Sequence, residues 1–174
     1  MNLVQPRPEI DPDHFRRVMG RFATGVTVIT ATTGGETRGI TANAFMSGSL
    51  DPPLCIVSIA KRARMHPHIT GAGAFGVSIL VAGQEDIATH FAGRPVIGLA
   101  PVFHDLDGVA TVGGAGSMIA AETVARHDCG DHTVFIGHIH AMWADDRPPL
   151  LYHAGRFAAL VPLREPAPAM PEFW

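Results

Sequence analysis

The chain has 174 residues, with 13 Lys and Arg against 16 Asp and Glu, a length that argues for one domain able to bury about two-thirds of its unfolded surface. A net charge of −3 and no basic run longer than Lys61-Arg62 leave no footprint for a phosphate backbone, so nucleic acid is excluded as a partner. Although 47% of residues are apolar and mean hydropathy is +0.18, no apolar run approaches the roughly 18 residues a membrane helix needs. The N-terminus also lacks a signal-peptide layout, and the chain reads as cytoplasmic, with no membrane partner.

Residues 1–10 and 162–174 are proline-rich with few apolar anchors and read as extended tails, leaving a single folded domain over 11–161. Asp11 can cap a helix with Pro12 at its first position, and Phe15, Val18, Met19 and Phe22 form an apolar stripe that Gly25 closes. Thr24–Thr33 is β-branched, Gly34-Gly35 is a hairpin signal, and Thr37–Phe45 can return antiparallel. Asp51-Pro52-Pro53 demands a turn before the strand Leu54–Ala60. Phe75–Val81 reads as a short strand and Glu85–Phe91 as a short helix. Met118–His127 and His132–Trp143 read as strands joined across Asp128–Asp131, and Leu150–His153 with Phe157–Val161 finishes the sheet. Many short strands with only two helical patterns predict a mainly β, antiparallel barrel or sandwich. Cys55 and Cys129 lie in apolar contexts and read as reduced core residues.

Three segments carry the chemistry. Thr41-Ala42-Asn43-Ala44 through Ser47 and on to Ser58-Ile59 places small polar residues beside a buried strand, where backbone donors and acceptors are open to a planar ligand; on the residues alone, ordinary turn chemistry explains it equally well. Lys61-Arg62-Ala63-Arg64-Met65-His66 puts three cations in four residues, as an anion site or a solvated loop would. Gly130-Asp131-His132 is a turn with a histidine that can be neutral or charged near neutrality. Gly113-Gly114-Ala115-Gly116 lacks the spacing of a dinucleotide loop, and the pairs His66/His68 and His138/His140 complete no zinc pattern, so no metal site is expected.

With Phe22–Thr30 and Pro149–Phe157, these segments resemble the flavin reductase-like family, the small reductase components of two-component monooxygenases, over about residues 14–160. The resemblance implies a Greek-key split β-barrel that forms a homodimer. It implies an NAD(P)H:flavin oxidoreductase that takes hydride from NADH or NADPH, reduces FMN or FAD, and supplies the product to a partner monooxygenase. By the same resemblance Thr41, Ala42, Asn43, Ala44, Ser47, Ser58 and Ile59 contact the flavin ring, with Phe91 nearby. Arg62, Arg64 and Met65 stand where relatives carry phosphate-binding hydroxyls. His132 orders the nicotinamide, and Tyr152, Gly155 and Arg156 line the dinucleotide site. Two other readings remain open: a reductase with tightly held FMN acting on a ferric chelate or quinone, and a non-catalytic flavin- or haem-binding protein on the same barrel.

Overall fold

The computed structural model describes residues 9–161; the expected tails lie outside these except for residues 9 and 10. Helix α1 (Pro12–Met19) opens as expected, with the Asp11 carboxylate accepting from the backbone N–H of His14 at 2.8 Å and Pro12 in the first turn. It ends at Gly20 rather than Gly25, and none of its residues is buried: Phe15, Val18, Met19 and Phe22 stay more than half exposed. The stripe is therefore amphipathic but finds no covering surface among the described residues.

Strands β1 (Thr24–Gly25) and β2 (Thr27–Thr33) follow, and β2 returns through Gly34-Gly35 into β3 (Glu36–Ala42). The expected strand Thr37–Phe45 splits here. After Asn43-Ala44 the chain enters β4 (Phe45–Ser49), which pairs with β5 (Leu54–Ala60) beyond the Asp51-Pro52-Pro53 turn. A helix the sequence pattern did not expose, α2 (His66–Ala72), leads into β6 (Ala74–Ile79), and α3 (Glu85–Phe91) lies where expected. A second unforeseen element is the hairpin β7 (Phe103–Leu106) and β8 (Val109–Val112). The long strands β9 (Ser117–Cys129) and β10 (His132–Ala144) meet at the Gly130-Asp131 turn, and β11 (Leu150–His153) with β12 (Arg156–Ala159) completes the chain.

Seven of these strands form one antiparallel sheet in the order β3-β2-β6-β9-β10-β5-β4, and β1-β11-β12 form a second. Strands β3 and β4 are opposite edges of the large sheet, yet only Asn43 and Ala44 separate them. Three Cα steps of 3.8 Å span at most about 11 Å, so the sheet must curl until its edges nearly meet, and a split barrel results. Antiparallel neighbours twist with a fixed hand, which makes this curl the natural course of a seven-stranded sheet.

The barrel interior holds Ile29, Val57, Ile59, Ile69, Phe75, Val77 and Phe135, all essentially inaccessible. A second cluster of Val26, Val28, Leu80, Ala88, Val112 and Leu150 packs outside it under α3. Strand β2 is buried on both faces, sending Ile29 into one cluster and Val28 into the other. Along β5 burial alternates residue by residue, so Cys55, Val57 and Ile59 face the interior while Ser58 faces the other way. Each of Phe75 and Phe135 stabilises the fold by about 1.5–3 kcal/mol through burial. Cys55 is buried, and desolvation pushes its thiol up to about 11. Cys129 is exposed, contrary to the core role expected of it, because the β9–β10 hairpin carries it beyond the packed sheet. No helix of the described residues is long and apolar enough to cross a membrane.

Candidate functional site

The link between the two sheet edges is held from three sides. Thr41 Oγ1 donates to the Ala88 carbonyl at 2.6 Å, tying β3 to α3. Thr27 Oγ1 donates to the Ala42 carbonyl at 2.7 Å, and the Ser58 N–H donates to the Ala44 carbonyl at 3.0 Å. Fixed this way, the segment leaves the Asn43 side chain exposed, at the mouth of a cleft of about 620 Å³.

Three walls enclose that cleft. Val26, Thr41, Ala42 and Asn43 form one; Ala88, Thr89, Ala92 and Arg94 form another; the β11–β12 hairpin supplies Tyr152, Gly155, Arg156 and Phe157. The hairpin turn has positive φ at both central residues, 48° at Ala154 and 81° at Gly155, which is the two-residue turn that suits twisted strands. Tyr152 packs edge-on against Phe157 with ring centroids 5.7 Å apart. Small apolar floors, an aromatic ring and open backbone groups in a volume of this size suit a planar heteroaromatic ligand, so the residues present fit a flavin or nicotinamide ring.

A second cleft of about 760 Å³ adjoins the first, sharing Thr41 and Ala92 as walls. Thr37–Thr41 of β3, Ala63–Met65 of the basic loop and His90–Gly93 line it. Phe91 packs closely on β3, where a Cβ at Gly39 would sit 2.8 Å from its ring; the glycine makes that approach possible. Phe91 thus serves both as a wall of this cleft and as a member of the outer apolar cluster. Arg38 is engaged by Glu36, with Nε 2.9 Å from Oε1, and this bond holds the Glu36 carboxyl below the usual carboxylate range.

His132 begins β10 opposite Ala60 and Cys129 and lines neither cleft. Its Nδ1 lies 2.7 Å from Asp131 Oδ1, and that hydrogen bond is the main reason the Asp131 carboxyl is lowered. The Lys61 N–H donates to the Asp131 carbonyl at 2.9 Å, which fastens the Gly-Asp-His turn to the basic loop bordering the second cleft. His66 Nε2 also meets Thr133 Oγ1 at 2.9 Å beneath the same loop.

The fold therefore gathers Thr41, Ala42, Asn43, Tyr152, Gly155 and Arg156 in one cleft, and Thr41, Arg64, Met65 and Phe91 around its neighbour. Ala44, Ser47, Ser58, Ile59, Arg62 and His132 line neither. The side chains of Ile59 and Met65 belong to the main core, 2% and 3% exposed, and offer little surface to a ligand. Sequence reasoning missed Val26, Thr89, Arg94, Phe157 and His90, which reach the clefts from elements distant in the chain. Arg94 alone carried a signal, a cation three residues beyond the end of α3. Gly113–Gly116 forms the connection from β8 into β9, with no helix after it to receive a diphosphate. Among the described residues no three His, Cys, Asp or Glu side chains gather as a metal site.

Residues 19–160 match the flavin reductase-like domain. The chain is 42% identical over 156 residues to an NADH-dependent flavin reductase of a Rhodococcus species, covering 88% of this chain and 89% of that protein. It is 41% identical over 148 residues to the reductase component of 4-hydroxyphenylacetate 3-monooxygenase from Thermus thermophilus, covering 84% and 95%. Among solved structures, flavin reductase PheA2 in its native state superposes with a TM-score of 0.85 at 38% identity, covering 88% of this chain and all of that one.

Proposed function

The chain belongs to the flavin reductase-like family, and from that premise we propose that it is an NAD(P)H:flavin oxidoreductase supplying reduced flavin to a separate monooxygenase. The observation that carries this reading is the first cleft, where the seam segment assigned to flavin and the hairpin assigned to the dinucleotide face one another across about 620 Å³. Hydride transfer needs two rings held in contact and little else from the protein, because the nicotinamide and flavin supply the redox chemistry themselves. The chain's residues have the remaining tasks. Backbone groups of Thr41–Asn43 pair with the polar edge of one ring, Ala42, Ala88 and Ala92 cover its face, and Tyr152 stacks at the rim. His132, steadied by Asp131, orders the donor from the turn beside the second cleft.

NADH or NADPH serves as donor and FMN or FAD as acceptor, with relatives named as NADH-dependent reductases of flavin, FAD and FMN supporting both flavins. The single domain spans 11–161, and the protein works as a homodimer in the cytoplasm. The exposed apolar stripe of α1 supports the dimer, and the two unpaired thiols fit a reducing compartment.

Steady-state assays crossing NADH and NADPH with FMN, FAD and riboflavin test the reading. We expect rapid bleaching of the flavin visible band with at least one donor, and turnover that rises with added free flavin. Bleaching with neither donor would leave only a binding protein. Stoichiometric flavin retained through gel filtration, with no stimulation by free flavin, would point instead to a fixed-FMN reductase acting on a ferric chelate or quinone.

A further inference from the structure

One side chain outside both clefts holds the peptide that brings Asn43 into the first of them. Thr27 pairs in register with Ala42, the last residue of β3. Its hydroxyl donates to the Ala42 carbonyl at 2.7 Å, at the point where the β2–β3 ladder ends and no further pair steadies the chain. Thr27 is 3% exposed and lines neither cleft. The other two ties of the seam act at Thr41 and Ala44, which leaves the Ala42–Asn43 peptide to Thr27.

That peptide is trans, and in a trans peptide the C=O and N–H point in opposite directions. With the carbonyl turned to β2, the Asn43 N–H points away from it and finds no acceptor among the described residues, although Asn43 lines the first cleft. A hydroxyl donating to the carbonyl also polarises the peptide and strengthens its N–H as a donor. We propose that Thr27 is a positioning residue for the flavin ring: its hydroxyl fixes the Ala42–Asn43 peptide so that the Asn43 N–H meets an acceptor on the ring's polar edge. The inference rests on the reductase reading for what occupies the cleft and adds the residue that aims the donor.

Thr27→Val keeps the branched shape without the hydroxyl, Thr27→Ala removes both, and Thr27→Ser restores the donor. Riboflavin, FMN and FAD are titrated by flavin fluorescence without turnover, and the NADH KM is measured at saturating flavin. Loss of one hydrogen bond should raise the riboflavin Kd about three- to tenfold in Thr27→Val and Thr27→Ala alike. FMN and FAD should weaken by the same factor, Thr27→Ser should return to within about twofold of wild type, and the NADH KM should stay unchanged. In the wild type itself the Asn43 amide should exchange freely with solvent, and about tenfold more slowly or better with riboflavin bound. The positioning role is overturned if the riboflavin Kd of Thr27→Val stays within about twofold, if Thr27→Ser fails to recover it, if the NADH KM rises in step with the flavin Kd, or if the Asn43 amide gains no protection. A wild type that bleaches flavin with neither donor, yet binds riboflavin in a Thr27-dependent way, removes the reductase reading and keeps the positioning role. Normal bleaching with Thr27 indifferent does the reverse.

Discussion

Asp131 and His132 show how an exposed imidazole is oriented by a neighbour rather than by burial. With Asp131 accepting at Nδ1, the His132 ring is left with Nε2 as its outward atom. We expect His132→Ala to raise the donor KM several-fold while the flavin Kd changes little; an unchanged donor KM would remove His132 from the site. Asp131→Asn should give a smaller rise of the same kind. The folded-state Asp131 value lies below the ordinary carboxylate value, so the pairing is fully present above that ordinary value, about pH 4, and is lost only as pH falls through the lowered one. The Asp131 carboxylate therefore puts no step in the donor KM between about pH 5 and 8. The turn that carries His132 was legible because Gly-Asp-His is a local pattern. The burial of the Met65 side chain and the position of Arg94 were not legible: whether a side chain in a polar loop turns into the core or across a cleft depends on elements far away in sequence.

Helix α1 was legible down to its cap, because Asp11, Pro12 and the spaced apolar residues are all local signals. What the stripe packs against was not, and among the described residues it stays uncovered. Its C-terminus sits beside the site, since the Ala154 N–H donates to the Gly20 carbonyl at 2.8 Å next to the hairpin turn. If α1 is the dimer contact, Phe15→Asp with Val18→Asp should shift sedimentation equilibrium toward monomer, with a thermal midpoint for the monomer close to that of the parent fold. An unaltered dimer constant would exclude α1 from the interface. The missed elements have their own reasons. Strand β4 reads Phe-Met-Ser-Gly-Ser, too polar to mark as sheet, and is an edge with an irregular register between Ser47 and Ser49. Helix α2 contains Pro67 and Gly71 and is held by Ile69 in the core rather than by propensity.

Across the whole molecule, antiparallel barrel character followed from strand number and turn spacing, but the closure did not. Nothing local says that Asn43-Ala44 joins opposite edges of a seven-stranded sheet. The link should tolerate length poorly in function and well in stability. Two glycines inserted between Asn43 and Ala44 should weaken flavin binding by about tenfold or more if Thr41–Asn43 hold the ring. The added loop entropy is under about 1 kcal/mol, a loss of roughly 2–4 °C in thermal midpoint for a chain of this size. Undiminished flavin affinity in that variant would separate the seam from the ring site. The same link orders events during synthesis. The β2–β3 pairing closes locally through Gly34-Gly35, but β2 waits for β6 on its other side, β4 needs β5, which is seated by β10, and the third wall of the first cleft waits for β11 and β12. Pairings between positions as distant as Gly25 and Leu151 form slowly because long loops must close first. The segment that reads earliest in the chain as a ligand site is thus completed last, and a nascent or C-terminally shortened chain would carry Thr41–Asn43 without the third wall of the first cleft.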